Sequence, residues 1–221
     1  MLVTHDPRLF RIVGLSVAVS LASTAASALI GLPLGAAVAV ARFRGRSVLV
    51  VAMNAAMGLP PVVAGLVVYL VLSRSGPLGP LGLLFTPPAM VIAQTLLIAP
   101  IIAALTRQVI EDAWSEYRDQ LESLGSSLAQ STMTLLWDTR YALATVLLSG
   151  FGRASAEVGS IIIVGGNIDG VTRVMTTAIA LETSKGDLAL ALGLGVVLLT
   201  LVTAVNVGVH ALREWARVRH G

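Results

Sequence analysis
Residues 12–41 read IVGLSVAVSLASTAASALIGLPLGAAVAVA, a run without a single charged side chain. A helix rises about 1.5 Å per residue, so about 20 apolar residues cross the hydrocarbon core of a bilayer. This run is long enough to cross with residues to spare. Arg8 and Arg11 precede it, and Ala26-Ser27-Ala28 resembles a signal cleavage box. The apolar region of a secretory signal is only about 7–15 residues, however. The run therefore reads as a retained transmembrane helix.

The rest of the chain repeats the pattern. Of 221 residues, 56% are hydrophobic, 5% aromatic and 12% charged, against about 25% charged in an average soluble domain. So few charges cannot cover the surface of a soluble domain. With no cysteine in the chain, an ordinary soluble enzyme, a disordered chain and a disulfide scaffold are all excluded. Further charge-free runs occupy 47–73, 75–106 and 188–212. Within 75–106, Gly76-Pro77-Leu78-Gly79-Pro80 is a turn, so that helix is expected to start near Leu83. A fifth apolar segment, 141–165, is interrupted by Arg153 and Glu157. The expectation is an all-α integral membrane protein forming one domain over 1–221. Its spans, about five, lie near 9–41, 48–73, 83–106, 141–165 and 186–212.

Segment 107–140 differs. It carries Glu111, Asp112, Glu116, Asp119, Glu122 and Asp138, half of the twelve acids. Its apolar residues Val109, Ile110, Ala113, Trp114, Tyr117, Leu121, Leu124 and Leu128 recur at three- and four-residue spacing, an amphipathic helical pattern. Basic residues set orientation, because cytosolic loops are enriched in them. Arg42, Arg44, Arg46, Arg107, Arg118, Arg140, Arg213, Arg217 and Arg219 fall on one side; Arg8, Arg11, Arg74, Arg173 and Lys185 fall on the other. The richer side is expected to be cytosolic, which puts the N-terminus outside, and the C-terminus and 107–140 inside.

Two groups of residues could carry chemistry. Arg153 sits about 18 Å beyond Tyr141 along a helix, near mid-membrane, and Glu157 follows at i,i+4 spacing that allows pairing. Ionisable groups at that depth cost at least about 2.5–3.5 kcal/mol each and persist by facing a partner or water. Two readings are open: a polar face lining a solute pathway, or an ion pair locking helices. The second group is the outer stretch Gly165-Gly166-Asn167-Ile168-Asp169-Gly170 with Thr172, Arg173, Thr176 and Thr177. Its hydroxyls and guanidinium suit an oxyanion, and the same residues would also make an ordinary loop with a short helix. Pro33 between Gly31 and Gly35, and Pro60-Pro61 within the second span, are expected to kink or break helices.

Other chemistries find no residues. The net charge is +3 without a dense basic patch, and His5, His210 and His220 are scattered, so neither nucleic acid nor a metal is expected. Thr183-Ser184-Lys185-Gly186 is not a phosphate loop, and no nucleophile–base pair stands out. The chain is expected to bind no cofactor and to be no enzyme.

Asp119-Gln120-Leu121-Glu122-Ser123-Leu124-Gly125 resembles the permease motif of ABC importers, Glu-Ala-Ala followed by three residues and Gly. Here Asp replaces Glu, Gln120 and Leu121 replace the alanines, and the closing Leu-Pro is lost at Trp137-Asp138. The stretch from Gly58 to Gly65, with Ser75 to Gly79, is similar to the molybdate, tungstate and sulfate permeases. Gly150-Phe151-Gly152-Arg153-Ala154-Ser155-Ala156-Glu157-Val158-Gly159, continuing through Asn167 and Arg173 to Thr183, resembles the tungstate branch. This resemblance implies a type I importer permease (MetI-like) fold and a homodimeric pore in a bacterial or archaeal plasma membrane. It also implies two separate ATPase subunits and an extracytoplasmic oxyanion-binding protein. Under it, Asp119, Gln120, Leu121, Leu124 and Gly125 would couple to the ATPase, and Arg153 and Glu157 would face the pathway. Asn167, Thr172, Arg173, Thr176 and Thr177 would lie at the outer mouth. A molybdate or sulfate permease and, from another class, a non-transporting membrane scaffold are the alternatives.

Overall fold
A computed structural model describes residues 7–220, with side chains for 8–209 and 211. His5, and the side chains of His210, Arg213, Arg217, Arg219 and His220, lie outside the described residues. The described elements are helices: α1 (Pro7–Val40), α2 (Arg46–Met57), α3 (Pro61–Leu72), α4 (Pro87–Ser123), α5 (Leu128–Asp138), α6 (Arg140–Ser155), α7 (Gly159–Gly165), α8 (Met175–Lys185) and α9 (Leu188–His220), with a 3₁₀ turn at Gly79–Leu81.

Three helices, α1, α4 and α9, are each long and apolar enough to cross a membrane. The bent pairs α2–α3 and α6–α7 bring the number of spans to five if each pair makes one. Aliphatic side chains such as Leu192, Val196 and Leu199 on α9 are exposed. Hydrocarbon suits these residues, whereas in water they would form an apolar patch.

Proline position decides where helices break. Pro33 and Pro100 each lie inside an unbroken helix, because one missing N–H is tolerated in a membrane helix. At Pro60-Pro61 two consecutive donors are missing and the preceding residues are pushed out of the helical region. Accordingly α2 ends at the Gly58 cap, Pro60 is extended at φ −62° and ψ 129°, and α3 restarts with Pro61. The third span starts at Pro87 rather than Leu83 and runs on to Ser123 without a stop at 106. The 141–165 segment is not one helix: α6 ends at Ser155, and α7 follows at a bend of 58°.

The chain divides into two compact units. The first comprises 1–23, 60–94 and 151–221; the second comprises 24–59 and 95–150. The first unit centres on Val19, Val68, Leu72, Met90, Ile161, Val164 and Val174. There α3 packs on α7 through Gly65, where a Cβ would come within 2.7 Å of Ser160 Cα. The second unit holds one cluster around Ala36, Val40, Ile110, Ala113 and Leu135, and another around Val38, Met53, Ala103 and Ala104. Arg46 ties its helices together. The Arg46 Nε–H donates to Val38 O near the end of α1 (2.9 Å), and its Nη2–H donates to Glu111 on α4 (2.7 Å). Arg107 pairs with the other oxygen of Glu111.

Candidate functional site
The second unit carries the turn between α4 and α5. The amphipathic stripe begins buried, with Ile110 and Ala113 in the core and Trp114 and Leu121 packed against it. Beyond them the same stripe emerges uncovered. Leu124 is 75% exposed and Trp137 72% exposed, and Leu128 and Met133 are exposed as well. Between the helices, Gly125 adopts φ +71°, a left-handed conformation natural to glycine at a helix C-terminus. Ser126 N–H donates back to Leu121 O (3.1 Å). Ser127 and Gln130 then form a capping box that starts α5. The α5–α6 corner is braced by Arg140, whose guanidinium lies 4.9 Å from the Trp137 ring and 4.6 Å from the Tyr141 ring. The turn is therefore a well-formed local structure with uncovered apolar side chains. Asp119, Gln120, Leu124 and Gly125 are exposed on it and Leu121 is half-buried.

The first unit places Arg153 and Glu157 together, unequally. Their closest approach is 3.9 Å; the Arg153 side chain is 43% exposed and that of Glu157 only 4%. Glu157 lies past the end of α6, so the two do not share one helical face. Its Oε1 accepts from the backbone N–H of Ser160 (3.0 Å) and from the Ser160 hydroxyl (3.3 Å). It thus satisfies a donor in the first turn of α7 that no helical carbonyl reaches. The Thr176 hydroxyl donates to Glu157 O (2.8 Å). Glu157 is a buried structural joint, and Arg153 is the exposed member of the pair.

The loop after α7 is organised by its threonines. Thr172 donates to Gly165 O and accepts from Ile168 N–H (2.9 Å). Thr177 accepts from Val174 N–H at the start of α8 (3.1 Å). Thr172, Thr176 and Thr177 are buried, and their hydroxyls hold backbone. Asn167, at φ +50°, donates from Nδ2 to Thr177 O (3.4 Å) while its Oδ1 is buried without a partner. Arg173 pairs with Asp169 (3.2 Å), and its Nε is buried without an acceptor. Asn167 and Arg173 are therefore the residues of this loop with bonding capacity left.

Sequence reasoning missed the polar interior of this unit. Gln94 is buried, donates from Nε2 to Ala154 O (2.9 Å) and accepts at Oε1 from the Ser23 hydroxyl (2.7 Å). Ser16 accepts from Met175 N–H (2.7 Å). The signal was available: Ser16, Ser20, Ser23 and Ser27 recur at four-, three- and four-residue steps along α1, one face of a helix. Among the described residues no group of three or more His, Asp or Glu is placed to hold a metal ion.

No protein-family model matches the chain. Individual relatives match it closely. A Haloferax volcanii protein named "Probable anion ABC transporter permease protein" is 41% identical over 218 residues, covering 96% of this chain and 94% of that protein. The tungstate uptake system permease protein TupB of Peptoclostridium acidaminophilum is 40% identical over 214 residues, covering 97% of this chain and 94% of that protein. The molybdenum transport system permease protein ModB of Mycobacterium tuberculosis is 30% identical over 208 residues, covering 88% of this chain and 76% of that protein. Near end-to-end similarity at this level, on a chain of membrane-spanning helices, leads to one conclusion: the chain belongs to the permease subunits of anion-transporting ABC systems.

Proposed function
We propose that this chain is the membrane-spanning subunit of an ABC importer and moves tungstate across the plasma membrane of its cell. The observation that carries the choice of anion is the gap in similarity. Two tungstate uptake permeases are 40% and 38% identical to the chain, whereas molybdenum and sulfate permeases reach 30% and 28%. Separate ATPase subunits supply the energy, as the similarity to ABC transporter permeases supports, and the chain itself takes no cofactor. An extracytoplasmic oxyanion-binding protein delivers the anion, and two copies of the chain enclose the pore.

In this reading the N-terminus is outside and the α4–α5 turn faces the cytosol. Its uncovered residues, Leu124 above all, with Asp119, Gln120, Leu121 and Gly125, dock in the ATPase. Closure of the ATPase dimer on ATP moves the turn, and α4, which ends at the turn, carries the movement toward the membrane. Arg153 attracts the anion along the pathway, Glu157 holds the α6–α7 joint beside it, and Asn167 and Arg173 lie toward the outer mouth. The three threonines Thr172, Thr176 and Thr177 keep that mouth in shape.

The test is uptake by cells lacking the chain and complemented with it. Tungstate accumulation that excess molybdate or sulfate fails to suppress is the expected result. Suppression by an equal concentration of either anion would assign the chain to the molybdate or sulfate permeases instead. Complementation without any oxyanion uptake would leave the scaffold alternative.

A further inference from the structure
Within the first unit, the end of α6 and the start of α8 meet α1 and α4 around a small polar cavity of about 10 Å³. Val174, Met175 and Thr176, where α8 begins, line it with Ser16 of α1, Gln94 of α4 and Ser155, the last residue of α6. A second cavity of about 10 Å³ shares Ser16, Ser155 and Met175 with the first. Most polar groups here are committed. Ser16 donates to Ile12 O and accepts from Met175 N–H, both at 2.7 Å. Thr176 donates to Glu157 O (2.8 Å). Gln94 gives one of its two amide hydrogens to Ala154 O (2.9 Å). Ser155 differs: it is only 8% exposed, and among the described residues its hydroxyl makes no hydrogen bond.

A buried hydroxyl without a partner is costly inside a bilayer, and an alanine would remove that cost. The hydroxyl shares its cavity with the N-terminal end of α8, an 11-residue helix whose dipole favours negative charge there. Non-helical backbone lies on either side, in the break after α6 and the loop before α8. Interrupted helices of this kind build substrate sites within membranes. We propose that this junction is a contact point for the oxyanion on its path, with the Ser155 O–H and the second Gln94 N–H as donors. The inference deepens the oxyanion-transport reading and rests on it. Neutral donors suit a pathway, because they hold an anion without trapping it. The cavity has room for about one water, so the anion enters as the helices part during the transport cycle.

The chain contains no cysteine, so Ser155→Cys carries a single thiol. The complete transporter in liposomes, with its ATPase and binding protein, is treated during ATP turnover with a sulfonate-bearing methanethiosulfonate. Saturating sodium tungstate is expected to slow the reaction about tenfold, and sodium chloride at equal ionic strength to leave it unchanged. Ser155→Ala is expected to lower the maximal uptake rate about tenfold without changing the KM, and the thermal midpoint of the purified chain should not fall. Ser155→Thr, which keeps the hydroxyl, should transport faster than the Ala variant. A lowered midpoint with normal uptake makes Ser155 a packing residue and overturns the proposal, as does a thiol whose reaction tungstate fails to slow. ATP-driven tungstate uptake by the unaltered chain is measured alongside. Its absence removes the transport reading, whereas uptake that Ser155→Ala leaves intact removes this site and keeps that reading.

Discussion
The two units of the chain differ in what their polar and exposed apolar groups do. The first draws polar groups inward: Ser23, Gln94, Glu157, Ser160, Thr172 and Thr177 are all buried, most of them bonded to backbone at helix ends and turns. The second gathers its charges into pairs, Arg46 and Arg107 on Glu111 and Arg118 on Glu122, and turns apolar side chains outward at Leu124, Leu128, Met133 and Trp137. A buried polar interior inside a membrane protein holds irregular backbone where a pathway needs it. An uncovered apolar turn on an otherwise well-capped hairpin is the surface the proposed function gives to the ATPase. The proposed function puts substrate passage in the first unit and energy coupling in the second.

The largest effect is expected at the turn. Gly125→Trp should abolish uptake while the chain still inserts. No atom crowds the Gly125 Cβ position, so the damage falls on the φ +71° backbone and the docking surface, not on the core. Gly125→Asn, which tolerates that conformation, should retain most uptake. If the Asn and Trp variants behave alike, the turn conformation is not what matters there.

Next comes the α6–α7 joint, where the paired residues should separate. Glu157→Ala leaves the Ser160 N–H buried without its acceptor, a cost of about 1–3 kcal/mol, and should lower the thermal midpoint of the purified chain. Arg153→Ala should leave that midpoint near the unaltered value and reduce transport. The opposite order of stability loss would return the pair to a purely structural lock centred on Arg153.

Smaller still, Gln94→Leu removes bonds to Ser23 and Ala154 whose partners keep alternatives, since Ser23 also reaches Val19 O at 2.7 Å and Ala154 O also accepts from Glu157 N–H at 3.2 Å. A loss of about 0.6–2 kcal/mol, typical of hydrogen bonds between membrane helices, should appear in denaturant titration. Arg118→Gln breaks only an exposed i,i+4 pair and should change stability least, because such pairs are screened by solvent.

Much of this architecture is legible in the sequence because a bilayer demands it. Spans must be apolar for about 20 residues, and Pro60-Pro61 must break a helix. The amphipathic stripe of 107–128 is equally plain, although the turn that splits it at Leu124 to Ser126 is marked only by Gly125 and the Ser127–Gln130 box. Other features depend on partners that spacing does not reveal. Arg46 and Glu111 are 65 positions apart, and nothing local says they meet. The spacing of Arg153 and Glu157 fits a helical pair and a helix-end cap equally well. Where α6 stops decides between them, and tertiary contacts such as Thr176 on Glu157 fix that point.

The central claim is that this chain passes tungstate in step with ATP hydrolysis through the α4–α5 turn. The most direct measurement is tungstate uptake into liposomes containing the chain, its ATPase and its binding protein, with ATP supplied and withheld, for the unaltered chain and for Gly125→Trp. The account predicts ATP-dependent uptake by the unaltered chain and none by the variant, with the variant's ATPase rate no longer raised by loaded binding protein. Equal uptake by both chains, or uptake that proceeds without ATP, would contradict it.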